Sequence, residues 1–167
     1  LHSFPTRRSS DLAQIYTAEI KYQGRPLEVI LIGWPSNPDT QEALKYTFEK
    51  FYKDIGKYAT AAMDVICGKA IPVLNKQLGR KVKPGDIRRD SVLESVGILD
   101  QERIGTLKVQ NVEVEFGYSL KKPDDEAEIY KLGVRGTLED GFEDLYINDI
   151  LVDPKLFLKP HELSTGD

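Results

Sequence analysis

The chain has 167 residues, 40% of them apolar and 30% charged, with a formal net charge of −4 at pH 7 and a mean hydropathy of −0.39. That apolar share supports a real core and excludes a disordered chain, and the length suits one compact domain. The acid excess excludes a nucleic-acid backbone as main partner, which needs concentrated Lys and Arg. No apolar run approaches the roughly 20 residues that span a bilayer, so no membrane partner is expected.

In chain order, the first feature is His2 to Leu12, HSFPTRRSSDL. This run reads as the translation of a widely used short-read sequencing adapter. Residues 1–12 are therefore set aside from fold reasoning, with the expectation that the native start lies elsewhere. Setting aside Arg7, Arg8 and Asp11 makes the remainder one unit more acidic. The expected organisation is a single α+β domain over residues 13–153, followed by a tail over 154–167.

Ile15 to Tyr22 and Pro26 to Ile32 are rich in Ile, Val, Leu and Tyr and flank Gln23-Gly24-Arg25. Glycine supplies the positive φ of a tight connection, so the segment predicts a β-hairpin. Gly33-Trp34-Pro35-Ser36-Asn37-Pro38 then interrupts regular structure. Leu44, Phe48, Phe51, Ile55, Tyr58, Ala62 and Val65 recur at spacings of four and three, the stripe of one long helix. Asp39 with Glu42, or Asn37 followed by Pro38, supplies its N-terminal cap. Gly68 and Pro72 are expected to end or kink it, with Ile71 to Leu78 as a short second helix. The stripe spans about three heptads and contains Gly56, so it predicts packing on the protein's own sheet rather than a coiled coil.

A basic linker around Pro84-Gly85 follows, and beyond it the period falls to two. Ser91 to Leu99 and Thr106 to Leu120 read as strands. In the second, Val112, Val114, Phe116 and Tyr118 alternate with Glu113, Glu115 and Gly117, as in an antiparallel sheet with one wet face. Lys121 to Asp125 reads as a turn, Glu128 to Leu138 as a strand, Asp140-Gly141 as a turn, and Asp144 to Val152 as a last extended piece. The expected fold class is α+β: an antiparallel sheet of about five or six strands, an N-terminal hairpin plus a C-terminal meander, packed by one long helix.

Chemistry-bearing motifs are scarce. Only His161 lies outside the adapter-like run, and it falls in the tail, which leaves little for Ser-His or Cys-His catalysis. Nucleotide-binding glycine motifs, the nucleophile elbow and the H-E-x-x-H zinc motif do not occur. Cys67 is the single cysteine; it forms no intramolecular disulfide or thiolate zinc site and reads as an apolar core residue near a helix end. Together with the absence of glycosylation sequons, this points to a cytoplasmic location.

The charge is uneven. From Asn111 to Asp153 there are twelve acids against four bases, Lys121, Lys122, Lys131 and Arg135. The candidate binding residues are therefore the acids Asp124, Asp125, Glu139, Asp140, Glu143 and Asp144, which would steer a basic partner. Trp34 joins them, since a loop tryptophan either anchors a partner or plugs the end of the core. Glu113 and Glu115 share a strand face and could flank a sugar or a cation, although alternation alone puts charge there. Asp140, Glu143, Asp144, Asn148 and Asp149 are rich in oxygen but lack the spacing of a calcium loop. No cofactor, metal site or catalytic residue is assigned.

The order hairpin, long helix, meander, together with V-x-G-x-L-E-D-G at Val134, Gly136, Leu138, Glu139, Asp140 and Gly141, resembles a group of small bacterial domains of unknown function over roughly Tyr16 to Ile150. Some of these look like immunity proteins. The resemblance implies a non-enzymatic protein-binding domain, an immunity or accessory protein presenting an acidic face to a basic partner. Two alternatives stay open at this point: a phage-type structural or assembly protein, and a carboxylate-based enzyme or sugar-binding protein. The oligomeric state is left open.

Overall fold

A computed structural model describes residues 2–3, 12–78, 82–101, 112–122 and 125–152. In chain order the elements are β1 (His2–Ser3), β2 (Gln14–Tyr22), β3 (Arg25–Gly33), α1 (Thr40–Lys53), α2 (Ile55–Leu78), α3 (Pro84–Asp90), β4 (Ser91–Leu99), β5 (Glu113–Lys122), β6 (Asp125–Thr137), β7 (Gly141–Ile147) and β8 (Ile150–Leu151). All eight strands form one sheet in sequential order. Six are long, and the two outermost contribute two residues each. The sequence predicts an α+β chain of this general plan, but the sheet has eight strands among the described residues rather than five or six, the two short outer strands being the additions, and it is mixed rather than antiparallel. β3 and β4 run parallel, with Glu28 opposite Ser95 and Ile32 opposite Leu99. The reason is connectivity: the chain leaves the end of β3, runs through all three helices, and re-enters beside β3 in the same direction. Alternation reports a wet face, not the direction of the neighbouring strand.

The hairpin forms as read. Gln23 and Gly24 both have positive φ (52° and 75°), so a two-residue turn joins Tyr22 to Arg25. Such primed turns match the twist of the flanking strands. The single long helix is corrected to two. The stripe from Leu44 to Val65 continues across a break at Asp54, which leaves helical geometry at φ −135° while its N–H donates to the Phe51 carbonyl. Helix α2 then runs through Gly68 and Pro72 to Leu78. Pro72 is exposed, whereas Ala70, Val73 and Leu74 beside it are buried, so burial of one face outweighs the lost backbone bond. Neither expected cap forms at α1. Asp39 stands at the N-cap position but makes no side-chain capping hydrogen bond, and the Asn37 amide donates to the Gln101 carbonyl at 2.6 Å. The basic linker at Pro84-Gly85 is the start of α3, where proline at the first helical turn costs no hydrogen bond.

All three helices pack on one side of the sheet. That side supplies Leu27 and Val29 from β3, Val96 and Ile98 from β4, Val114, Phe116, Tyr118 and Leu120 from β5, Leu132 and Val134 from β6, and Leu145 and Ile147 from β7. Its centre is a chain of rings. Phe51 of α1 meets Phe116 edge-on at 5.7 Å, and Phe116 meets Phe142 of β7 at 5.1 Å. The Tyr118 hydroxyl donates to the Ala59 carbonyl of α2 at 3.1 Å, and burial pushes its phenol well above the ordinary range. Cys67 is buried as expected, and desolvation raises its thiol.

The V-x-G-x-L-E-D-G segment is the β6–β7 hairpin. A Cβ on Gly136 would lie 2.1 Å from the Gly141 carbonyl oxygen and 2.6 Å from the Phe142 Cα, where the ladder is offset between Arg135 and Gly136. Gly141 itself has φ +90°. Close backbone approach and a left-handed turn therefore account for both glycines. No helix among the described residues is long and apolar enough to cross a membrane.

Candidate binding face

The sheet face opposite the helices carries the alternate residues of the same strands. Register aligns them into rows. One row runs Gly97, Glu115, Arg135, Asp144 across β4 to β7, and the next runs Ser95, Gly117, Gly133, Tyr146. Three consecutive small residues in the second row remove the side chains that would otherwise cover the sheet. The result is a hollow of about 670 Å³. Its floor is Ser95, Gly117 and Gly133, one wall is Glu115, Arg135 and Tyr146, and the other includes Ser119, Lys131 and Asp149.

The wall is tightly organised. Arg135 donates through Nε (2.9 Å) and a terminal nitrogen (2.6 Å) to the same oxygen, Oε2 of Glu115. Its Nε lies 4.0 Å from Oε2 of Glu113, and the guanidinium carbon sits 5.1 Å from the centre of the Tyr146 ring. Partial burial alone would lower the Arg135 pKa, but the hydrogen bond to Glu115 and the surrounding charge outweigh it and the net shift is upward. The guanidinium is thus held charged and stacked, the geometry in which arginine is most specific. On the opposite wall the Ser119 hydroxyl donates to Oε1 of Glu94 at 2.9 Å. Asp149 is carried on the β7–β8 turn, where it and Asn148 both adopt positive φ and the Asn148 side chain accepts from the Lys131 N–H.

Glu115 and Glu113, singled out from strand alternation, do share this face, and both turn toward one guanidinium. The other candidates lie elsewhere. Trp34 is half-buried in the turn after β3, its N–H donating to Thr40 Oγ1 at 3.2 Å and its carbonyl accepting from Asn37 at 2.9 Å. Glu139 and Asp140 occupy the β6–β7 turn. Lys50 of α1 donates to Glu139 at 3.0 Å, a hydrogen bond that raises the lysine's pKa, and the Asp140 N–H donates to the Thr137 hydroxyl. Glu143 is exposed where β7 bulges, and its carbonyl accepts from Lys69 of α2. Asp144 is exposed opposite Arg135, at the rim of the hollow. Asp124 and the side chain of Asp125 lie outside the described residues, as do His161 and the tail from Pro154. The four described acids of the proposed face are thus distributed over a turn, a bulge and a rim rather than gathered in the hollow.

Sequence reasoning passed over Arg135, Tyr146, Ser95, Gly117 and Gly133. A signal was present: a glycine inside a strand pattern marks a missing side chain, and here two such glycines are paired, Gly117 against Gly133. Register decides that pairing, and register is not written in either strand alone.

Among the described residues, no group of three or more His, Cys, Asp and Glu is placed to hold a metal ion. No protein-family model, no curated protein and no solved structure matches the chain.

Proposed function

We propose that the protein is a non-enzymatic binding domain that receives a basic segment of a partner protein in the hollow of its open sheet face, in an accessory role of the immunity kind that the sequence resemblance implies. The observation that carries this reading is the hollow itself, a concave, helix-free surface with an acid excess. Among the described residues Glu94, Glu115 and Asp149 line it, Glu113 and Asp144 stand at its rim, and only Lys131 and Arg135 oppose them, with Arg135 already paired to Glu115. An uncompensated acidic concavity raises the local concentration of cationic groups and steers their approach. Tyr146 and the guanidinium stacked on it form the rigid anchor around which such interfaces concentrate their energy. The single, buried cysteine supports a reducing, cytoplasmic setting.

A second reading rests on the same hollow. An aromatic face, two serine hydroxyls and a carboxylate are also what a sugar-binding site uses. The shared guanidinium argues for binding rather than hydrolysis in that case, because Glu113 and Glu115 both serve to hold Arg135 instead of facing each other across an open gap.

The test is titration of the chain with an array of lysine- and arginine-rich peptides and, in parallel, with a panel of oligosaccharides. The informative variant is Gly133→Val. A Cβ there meets Oε1 of Glu115 at 3.5 Å and Cβ of Tyr146 at 3.6 Å, ordinary contacts, so the branched side chain fills the hollow without displacing the strand. Peptide binding that weakens with salt and falls at least about tenfold in Gly133→Val is expected. Charge reversal at Glu139 and Asp140, outside the hollow, is expected to leave it unchanged. Oligosaccharide binding lost in the same variant would replace the first reading with the second, and peptide binding indifferent to Gly133→Val would remove the hollow as the site.

A further inference from the structure

A smaller concavity lies on the helix side of the sheet, at the end where β3 begins. The β3–β4 ladder starts only at Glu28 opposite Ser95, although the two strands begin earlier, at Arg25 and Ser91. Pro26 accounts for the gap. Tyr22 and Arg25 form the pair that closes the two-residue turn, so the Pro26 nitrogen faces β4 rather than β2, and it has no N–H to give. The unpaired strand ends leave a pocket of about 180 Å³. That is below the roughly 300–1,000 Å³ of sites for drug-sized ligands and suits a single functional group. Leu27, in the core, and Tyr22, packed against it, give the pocket an apolar wall.

Donors from three elements line it. The Ser91 hydroxyl oxygen is buried and has no hydrogen-bond partner among the described residues. Its own N–H is taken by the Ile87 carbonyl at the end of α3, so the hydroxyl is what Ser91 has left to offer. Buried polar groups are nearly always satisfied, and an orphan of this kind calls for a missing partner. Arg25 stands on the same face as Leu27, exposed, and makes no ion pair or hydrogen bond among the described residues. Arg89, in the last turn of α3, donates through Nε to Asp90 at 3.0 Å and through Nη2 to Asp86 at 3.1 Å and Asp90 at 3.2 Å. These two acids fix the guanidinium and leave its Nη1 without a hydrogen bond among the described residues. Neither acid lines the pocket, and no other carboxylate among the described residues does. In a chain of net charge −4, this is a cationic recess.

We infer that the pocket binds a phosphate group, held by charge-assisted hydrogen bonds from Arg25 and Arg89 and by the buried hydroxyl of Ser91. Donors arriving from β3, α3 and β4 suit the three terminal oxygens of a phosphate better than the two of a carboxylate. The site lies on the opposite side of the sheet from the hollow and stands or falls apart from it.

Calorimetric titration with inorganic phosphate, O-phosphoserine and acetate at constant ionic strength tests this, on the parent chain, Arg25→Gln and Ser91→Ala. Melting midpoints without ligand are measured alongside. Phosphate or phosphoserine is expected to bind the parent and acetate not, and the tighter of the two identifies free phosphate or a phosphomonoester as the ligand. Each variant is expected to weaken that binding about tenfold or more. Ser91→Ala is expected to keep or raise the melting midpoint, because it removes a buried hydroxyl that has no partner. No binding of either phosphate up to about 10 mM overturns the inference. So does acetate that binds as well, binding indifferent to both substitutions, or a melting midpoint that falls in Ser91→Ala.

Discussion

Along β5, Val114, Phe116, Tyr118 and Leu120 are buried under the helices, while Glu113, Glu115, Gly117 and Ser119 alternate with them on the open side. The two faces belong to the same strands and differ in what each residue is asked to do. On the covered face every side chain has neighbours on all sides, so its shape is fixed by packing and its loss leaves a void. On the open face the pattern is of omissions and pairings: Gly117 and Gly133 leave space, and Glu115 with Arg135 frames it. Stability is concentrated on one side of the sheet, and the recognition we propose falls on the other. A binding face can therefore vary without unsettling the core that carries it.

That division makes quantitative demands. Its strongest test is Phe116→Ala, which removes the middle ring of the Phe51–Phe116–Phe142 chain. It is expected to cost about 4 kcal/mol in a denaturant titration, a large part of a typical domain's stability. Next comes Gly136→Ala, expected to cost about 3 kcal/mol, because a Cβ 2.1 Å from a backbone oxygen forces the β6–β7 ladder to move. A loss below the precision of the melt would show that the hairpin relaxes freely and that the glycine pattern of this segment has another origin.

A smaller and more diagnostic effect is expected at Tyr118. Replacement by Phe forfeits the hydrogen bond to Ala59, about 1 kcal/mol at neutral pH. Burial raises the folded-state pKa of this phenol above its unfolded value, so the native state resists its ionisation. The associated stability is complete below about pH 10, where the unfolded phenol is still protonated, and is lost as pH rises beyond it. Urea titrations at pH 7 and at pH 11 should accordingly show the parent's advantage over Tyr118→Phe shrinking in alkali. An advantage independent of pH would mean that the hydroxyl reaches water. On the open face, Gly133→Val is expected to change the melting midpoint least of all, and upward if at all, since a branched residue suits a strand better than glycine.

The same contrast explains what could be read in advance. The hairpin was legible because Gln23-Gly24 is a local signal, and the covered faces of β4 and β5 were legible because alternation is local as well. The break at Asp54 was not, since the apolar stripe of α1 continues into α2 with its spacing unbroken. The continuation of α2 past Pro72 was hidden because it depends on the sheet beneath Ala70, Val73 and Leu74. The parallel joint between β3 and β4 leaves no trace in either strand. The acids from Glu139 to Asp144 were visible as a charge excess. Their separation from the hollow follows from the turn, the bulge and the register of β6 with β7, none of which charge counting addresses.

The joint between β3 and β4 has a further consequence, in the order of assembly. Every other pairing among the long strands links neighbours along the chain, whereas Glu28 must find Ser95 after the whole helical segment has been made. Closing that span costs chain entropy before any ladder bond repays it, so pairing of this kind is slow. During synthesis the β2–β3 hairpin emerges before the helices and waits with its β3 flank unpaired. The meander from β4 onward can zip up by itself, and the two halves meet only when the helices fold back between them. The seam is then the last part of the sheet to form and the first to part, and amide hydrogen exchange should be faster at Val96 and Ile98 than at Phe116 and Val134.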